Sequence, residues 1–296
     1  MSIAVVGSAN MDLVVRQPRP VRPGETMSGT DFSTGAGGKG LNQAVACARA
    51  GGRVQFIGAV GADDFGARLE ATLRAEGVDV SLLRCVAAPT GIAAITVTDD
   101  GENSIVVVPG ANADAEFSDA DLAAIRSASH LVVQLERPVD LLVQTMRAAR
   151  EAGTTTVLTP APVRTDLDDL VALSDVLVPN EGEAMQLSGA PDAEQAAIAL
   201  SGLAGTVVVT LGARGALVAR GGAIVARVAP RFVQPVDTTA AGDTFVGVMV
   251  AWLAAGEPWE AALEAATVAA SLAVTRRGAA ESMPRHDDIV HVLRQA

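Results

Sequence analysis

Residues 33–46 read STGAGGKGLNQAVA and place four glycines and a lysine directly before a predicted helix. Gly35, Gly37 and Gly40 satisfy the G-x-G-x-x-G pattern of a dinucleotide-binding turn. In such a turn the glycines directly follow the first strand of a βαβ unit. Here a segment with several prolines separates them from the first predicted strand, residues 3–7. The spacing therefore favours another ligand, and an NAD-dependent dehydrogenase is kept as an alternative.

Apolar strands alternate with helical segments on both sides of this loop. The strands are predicted at 3–7, 54–60, 130–135, 155–159, 176–178 and 206–211, and the helices at 41–50, 65–76, 138–152, 193–203, 241–255, 260–275 and 287–293. This alternation predicts a doubly wound, mostly parallel α/β sheet that binds its ligands at the carboxyl ends of the strands. A chain of 296 residues with 49% apolar content can form one domain over residues 1–296.

Two segments, at about 13–33 and 81–108, interrupt the alternation. The first contains RQPRPVRPGE and shows no helical period, and the second reads as two strands around a turn at 99–102. We expect both to leave the main sheet and form a small β-sheet lid. An open sheet with an exposed apolar face can pair with a second copy, so a homodimer through the lid is expected.

The composition argues against several classes of partner. A formal net charge of −12 argues against nucleic acid and membrane surfaces, because both need a basic protein surface. No apolar run is long enough for a signal peptide or a transmembrane helix, and the two cysteines have no motif spacing. A cytoplasmic protein that binds small molecules is expected.

A second motif, PVDTTAAGDTFVGVMVA at 235–251, places Asp243 at the start of an apolar helix after three small residues. The first amides of a helix have no partner within it and form an anion site. Asp243 has two interpretations. It can be a helix cap, or it can accept a proton from a hydroxyl that attacks a phosphoryl group held by those amides.

The segment DTTAAGD at 237–243 resembles one signature of the ribokinase family of carbohydrate kinases, and GGKGLNQAVA from Gly37 resembles the other. The resemblance continues in order through GSANMD, PGE, PGAN, QLE, PNEGEA, TLGARG and AVTRRGAAESMP. Ala240 departs from the pattern of the wider family, in which glycine is more usual at this position. The methyl group of Ala240 narrows the anion site slightly. The resemblance implies a ribokinase-like fold and ATP-dependent phosphorylation of D-ribose at its 5-hydroxyl.

The resemblance also implies the site residues. Sugar ligands would be Asn10, Asp12, Gly38, Lys39, Asn42, Glu136 and Asp243, with Asp243 as the general base and the amides of 241–243 as the anion site. ATP would contact Asn180, Thr210, Gly212, Gly215, Ala241, Gly242 and Thr267. Magnesium would be held by Glu183 through water, and potassium by Asp237, Thr239, Ala273, Arg276, Gly278 and Ser282. For the sugar ligands, carboxylates and amides are suitable because they supply paired acceptors and donors for vicinal hydroxyls.

Several alternatives stay open at this point. Asn180 and Glu183 also fit a helix cap followed by a first-turn acid. The acceptor could be 2-deoxyribose or another small sugar. A sugar-binding protein that has lost catalysis would keep the same sugar ligands, so the motifs alone do not distinguish it from a kinase.

Overall fold

A computed structural model describes residues 1–164 and 166–295. The strands are β1 (Ser2–Val6), β2 (Asn10–Gln17), β3 (Asp31–Gly37), β4 (Arg53–Gly61), β5 (Asp79–Val86), β6 (Gly91–Thr98), β7 (Asn103–Val108), β8 (His130–Gln134), β9 (Thr155–Thr159), β10 (Val176–Leu177), β11 (Thr206–Thr210), β12 (Ala216–Arg220) and β13 (Ala223–Val228). The helices are α1 (Lys39–Arg49), α2 (Asp64–Ala75), α3 (Asp119–Ser127), α4 (Val139–Glu151), α5 (Asp168–Ala172), α6 (Glu181–Ser188), α7 (Ala193–Leu200), α8 (Ala241–Ala255), α9 (Trp259–Ala273) and α10 (His286–Leu293).

The large sheet has nine strands in the order β13-β12-β11-β10-β9-β8-β1-β4-β5. Seven neighbouring strands pair in parallel, namely β11, β10, β9, β8, β1, β4 and β5. The hairpin β12–β13 is added to β11 in antiparallel fashion and forms one edge. The predicted doubly wound α/β fold is confirmed. The strand order reverses between β1 and β8, and open α/β sheets bind ligands in the crevice at such a switch point.

Helices cover both faces of the large sheet because its parallel strands are apolar on both sides. One core packs α1, α2, α8, α9 and α10 against the sheet, and a second core packs α3 to α7 against the opposite face. Within the described ranges, no helix combines the length and the apolar character needed to cross a bilayer. The two cores leave the carboxyl ends of the strands uncovered, where the site can form.

A separate four-stranded sheet has the order β3-β2-β6-β7. The residues that form this sheet differ from the expected segments, about 13–33 and 81–108, at the start of each segment. The expected start at residue 81 is wrong, because β5 pairs in parallel with β4 and belongs to the large sheet. The expected start at residue 13 is also late, since β2 already begins at Asn10. Asn10 and Asp12 therefore lie on the small sheet itself, and any movement of that sheet carries them along.

Close backbone contacts bring α1 to the end of β1 and to α8. A Cβ atom on Gly40 would lie 2.5 Å from the amide nitrogen of Ser8, and one on Gly247 would lie 2.8 Å from the carbonyl oxygen of Gln43. Only glycine permits both approaches. As a result the amino termini of α1 and α8 face each other at the switch point.

Candidate active site

A polar cluster occupies the switch point between β1 and β8. Ser8 follows β1, and Glu136 follows β8. Glu136 Oε2 accepts hydrogen bonds from the Ser8 hydroxyl and from the Lys39 amide, the latter at 3.0 Å. The carboxylate thereby connects the ends of two parallel strands to the first turn of α1.

Asp243 lies in the first turn of α8 with its side chain inside this cluster. Its Oδ2 accepts from Asn42 Nδ2 at 3.0 Å, and its Oδ1 accepts from Gln43 Nε2 at 2.9 Å. Burial raises the pKa of Asp243, while the Lys39 charge and the two amide hydrogen bonds act in the opposite direction. A buried carboxylate that is held by two amide donors can accept a proton from a bound hydroxyl in a site that excludes solvent.

Lys39 is the cation of the cluster. Burial alone would lower its pKa, but the charges of Asp243, Glu136 and Glu183 outweigh burial, so the pKa is raised. The ammonium group therefore stays charged among the carboxylates. A cation in this position can offset negative charge that develops on a transferring phosphoryl group.

Asn10 and Asp12 enter the cluster from the small sheet. Asn10 is buried, and its Oδ1 accepts from Asn112 Nδ2 at 2.7 Å. Burial, followed by the charges of Glu136, Glu281 and Asp243, raises the pKa of Asp12 to about 7. Asp12 therefore changes its charge near neutral pH.

The expected sugar ligands thus meet in one place, with one change of role. The amide nitrogen of Asn42 donates to Asp243, which leaves less donor capacity for a hydroxyl than the sequence indicated. Its Oδ1 is buried and has no partner among residues 1–164 and 166–295. This oxygen is an acceptor that a ligand hydroxyl can satisfy.

A cavity of about 280 Å³ lies on the other side of the α8 amino terminus. Its walls include Thr210, Gly212, Gly215, Ala241, Gly242 and Thr267, which are six of the seven expected ATP contacts. The walls also include the loop Pro230–Val233 and Phe245, which were not predicted. Apolar walls with small residues near a helix terminus suit a flat base and a chain of phosphates.

Asn180, the seventh expected contact, does not line this cavity but bridges to Thr210 at its border. It forms a capping box at the start of α6, where Glu183 N donates to Asn180 Oδ1 at 2.9 Å and Asn180 N donates to Glu183 Oε2 at 2.8 Å. Burial raises the pKa of Glu183, and the Lys39 charge opposes that effect. The capping interpretation is therefore confirmed, and Glu183 still faces the charges of the cluster.

The expected potassium ligands lie on two adjacent segments. Asp237 accepts from Thr239 N and from Gly278 N, both at 3.0 Å, and Asp237 N donates to the Val274 carbonyl at 3.1 Å. Ser282 donates its hydroxyl to Ala279 O. In the part of the chain that is described, no group of three His, Cys, Asp or Glu side chains is arranged to hold a metal ion. A site built from backbone carbonyls and one carboxylate has no such cluster.

The model of the pfkB family carbohydrate kinases matches residues 1–286. The chain belongs to this family. Among curated pfkB-type relatives, ribokinase from Haemophilus influenzae is 37% identical over 100% of this chain and 99% of its own, and ribokinase from Bacillus subtilis is 37% identical over 99% of both chains.

Solved structures agree with this family assignment. A structure of Arabidopsis thaliana ribokinase complexed with ribose and ATP superposes with a TM-score of 0.93 at 34% identity, covering 99% of this chain and 98% of that one. Ribokinase from Thermotoga maritima gives a TM-score of 0.92 at 32% identity, covering 99% of both chains. The family is that of carbohydrate kinases, so the chain is a kinase rather than a dehydrogenase.

The glycine loop of this pfkB-family chain explains why the dinucleotide pattern misleads. Gly35 and Gly37 belong to β3, which pairs in antiparallel fashion with β2 in the small sheet. They are not the turn of a parallel βαβ unit. The alternative of an NAD-dependent dehydrogenase is wrong.

Four buried polar residues of the pfkB-type site were missed by the sequence analysis. They are Ser8, Gln43, Asn112 and Gln134. All four fall inside the quoted fragments GSANMD, GGKGLNQAVA, PGAN and QLE, which was the available signal. Their partners lie about 100 residues or more away, so local sequence does not reveal the contacts.

Proposed function

We propose that this chain transfers the γ-phosphoryl group of ATP to the 5-hydroxyl of D-ribose. One observation carries the proposal. Consecutive residues at the start of α8 face two compartments, since Ala241 and Gly242 line the cavity while Asp243 reaches the polar cluster. A hydroxyl in the cluster and a phosphate in the cavity would meet at this helix terminus.

In the proposed step Asp243 takes the proton from the 5-hydroxyl, and the hydroxyl oxygen forms a bond to the γ-phosphorus. The bond between that phosphorus and the bridging oxygen of ATP breaks, and its electron pair leaves with ADP. Backbone amides at 241–243 and the Lys39 ammonium stabilise the charge on the transferring group. Thr244 N donates a hydrogen bond to Ala240 O at 2.8 Å, while Ala241 N makes only a long hydrogen bond of 3.3 Å to Thr238 O. The first amides of the helix are therefore those that a phosphate can engage.

For the sugar, we assign Asn10, Asp12, Gly38, Lys39, Asn42 and Glu136 as ligands, with Asp243 touching the reacting hydroxyl. Their clustering at the switch point supports this assignment. Ribose is favoured as the acceptor because the curated relatives are ribokinases and one superposed structure is complexed with ribose.

For the nucleotide, we assign Thr210, Gly212, Gly215, Ala241, Gly242 and Thr267 as contacts and Asn180 as a border residue. Magnesium would be held by Glu183 through water, because its carboxylate lies close enough to Asp243 to feel its negative charge and keeps lone pairs beyond the one used by Asn180 N. Magnesium bound with ATP supplies charge neutralisation on the phosphates.

A potassium ion would fit between the loops that begin at Asp237 and Ala273. The hydrogen bonds of Asp237 to Gly278 and Val274 already hold these loops together. Burial raises the pKa of Asp237, but the hydrogen bonds that its carboxylate accepts from Thr239 and Gly278 outweigh burial and lower the pKa, so the carboxylate stays charged. The ligands are Asp237, Thr239, Ala273, Arg276, Gly278 and Ser282, mostly through backbone carbonyls. A thermal shift with potassium chloride but not lithium chloride, lost in Asp237→Asn, tests this site.

The small sheet would close over the sugar, and its outer face would pair with a second copy. Phe32, Val106 and Val108 are exposed on one face of β3 and β7 and form an apolar surface for a homodimer, whereas Ile105 and Val107 point to the face that carries Asp12. Light scattering at micromolar concentration should give twice the chain mass, and Val106→Lys should give the monomer. A wild-type monomer would overturn the dimer.

A cytoplasmic location is proposed on chemical grounds. Cys47 and Cys85 are both free thiols, as is usual in a reducing compartment.

The function is tested by coupling ADP release to a reporter with ATP and a panel of pentoses, hexoses and nucleosides. Ribose should give the highest kcat/KM, with 2-deoxyribose as the closest competitor, and phosphorus NMR of the product should place the phosphate on the 5-oxygen. ADP release with none of the sugars would reject the kinase and leave a catalytically silent sugar-binding protein. Preference for another sugar would reject ribose alone.

A further inference from the structure

Two fully buried glutamines connect the end of β8 to Asp243. Gln134 Nε2 donates to Gln43 Oε1 at 2.7 Å, and Gln43 Nε2 donates to Asp243 Oδ1 at 2.9 Å and to Thr159 Oγ1 at 3.2 Å. Within residues 1–164 and 166–295, neither side chain lines the cavity, and neither is hydrogen-bonded to an expected sugar ligand other than Asp243. The assigned chemistry does not use them.

The direction of this amide chain follows from the chemistry of its last member. An ionised carboxylate can only accept, so Gln43 must present its NH₂ group to Asp243. Its carbonyl oxygen then faces Gln134, which must in turn donate. Reversing either amide would bring two acceptors together in a water-free environment, which is costly.

The far end of the chain is held by packing. Gln134 Oε1 is buried with no hydrogen-bond partner in the described ranges, and a Cβ atom added to Gly7 would collide with it. Gly7 follows β1, so the backbone at the end of the neighbouring strand packs directly against the Gln134 side chain.

We propose that Gln43 and Gln134 form a relay of positioning residues. The relay keeps the Asp243 carboxylate ionised and holds it in the rotamer that accepts the substrate proton. The proposal rests on the function proposed above. Oδ1 accepts from Gln43 on the buried side, whereas Oδ2 accepts from Asn42, an expected sugar ligand, so we assign the proton to the second lone pair of Oδ2. A charge-assisted hydrogen bond stabilises the carboxylate over the carboxylic acid.

Other charges near Asp243 make this stabilisation necessary. Glu136, Asp12 on β2 and Glu183 on α6 are like charges that favour protonation, and Lys39 on α1 is the cation that opposes them. Burial adds to the like charges. Removing a donor should therefore leave Asp243 protonated at a higher pH than in the wild type.

The test uses Gln43→Met, which keeps the length and apolar volume of the side chain but removes the amide. The pH dependence of kcat for ADP release is measured with saturating ribose and ATP. The acidic limb should move up by about one to two pH units, the usual weight of a hydrogen bond to a charged group. Gln134→Met should move it in the same direction by less, since Gln43 can still reach Asp243. Ribose KM should stay within about threefold, because Asn42 is unchanged.

Thr145→Val is the matched control. Thr145 is fully buried in α4 and donates to Leu141 O at 2.7 Å, but it does not face Asp243. It should lower the melting temperature and leave the acidic limb in place. An unmoved limb in a folded Gln43→Met, or equal shifts in Thr145→Val, would overturn the relay.

If Gln43→Met does not fold, Gln134→Met decides in the same way, since it leaves every contact of Asp243 in place. Wild-type protein without ribose-dependent ADP release would reject the proposed function instead of the relay. An active wild type with an unmoved limb would reject only the relay.

Discussion

The two compartments at the start of α8 are built differently. The proposed sugar side is a network of side chains in which Asp243 accepts from Asn42, and Glu136 accepts from the Ser8 hydroxyl and the Lys39 amide. The nucleotide side is an apolar cavity with small residues, such as Gly212 and Gly242, in its walls. Substitutions on the sugar side should change affinity through displaced side chains, and those on the nucleotide side through lost space.

Asp243→Asn should have the largest effect, because it removes the proton acceptor that the two sides share. We expect kcat to fall by about 10²–10⁴-fold, the usual contribution of general-base catalysis. Steady-state ADP release measures this. Turnover at the wild-type rate would remove Asp243 from the mechanism.

Gly242→Ala tests the space on the nucleotide side. A Cβ atom at Gly242 would meet nothing within 4 Å, so the fold should accept it, yet the methyl group would stand where a phosphate approaches the helix amides. We expect kcat to fall by about 10²-fold, the cost of a displacement near 1 Å, with ribose KM unchanged. A fully active variant would show that the phosphate lies elsewhere.

Gly37→Ala tests the side-chain network on the sugar side. A Cβ atom there would lie 2.5 Å from Asp12 Oδ1, so the carboxylate must move. Ribose KM should rise by about 10-fold or more, equivalent to one lost hydrogen bond to a charged group, while ATP KM stays constant. If ATP KM changed instead, the division between the compartments would be wrong.

The pH dependence of sugar binding follows from Asp12. Its pKa is raised to about 7, so it is protonated below that pH and can then accept fewer hydroxyl bonds. Ribose KM should rise as the pH falls from 8 to 6, by at most about tenfold per pH unit. Asp12→Asn should bind ribose weakly with a flat profile. The same slope in that variant would assign the titration to another group.

Ala240→Gly should have the smallest effect and the opposite sign. Ala240 has a φ of 56°, a left-handed conformation that strains a residue with a Cβ atom. The free energy of unfolding should rise by about 1 kcal/mol in urea denaturation. Ala241→Gly, one position later in right-handed helix, should lower it by about 1 kcal/mol. Equal effects of the two variants would contradict the strain.

Local signals in the sequence predicted much of this architecture. The helix bounds 241–255 were correct because small residues precede an apolar run and Gly256 ends it. Strand β5 was misassigned to the lid because an apolar edge strand looks the same in either sheet, and only its pairing with β4 distinguishes them. Gln43 and Gln134 lie inside quoted fragments, but their role was missed because their partners are set by the crossing of α1, β8 and α8 and not by neighbouring residues.

The central claim is that one helix terminus serves two otherwise separate sites. Calorimetric titration of ribose and of ATP into Asp243→Asn tests it most directly. We expect each affinity to stay within about tenfold of the wild type although turnover is lost, since the proposed role of Asp243 is mainly in the transition state. Loss of both affinities in proportion to the loss of turnover would contradict it.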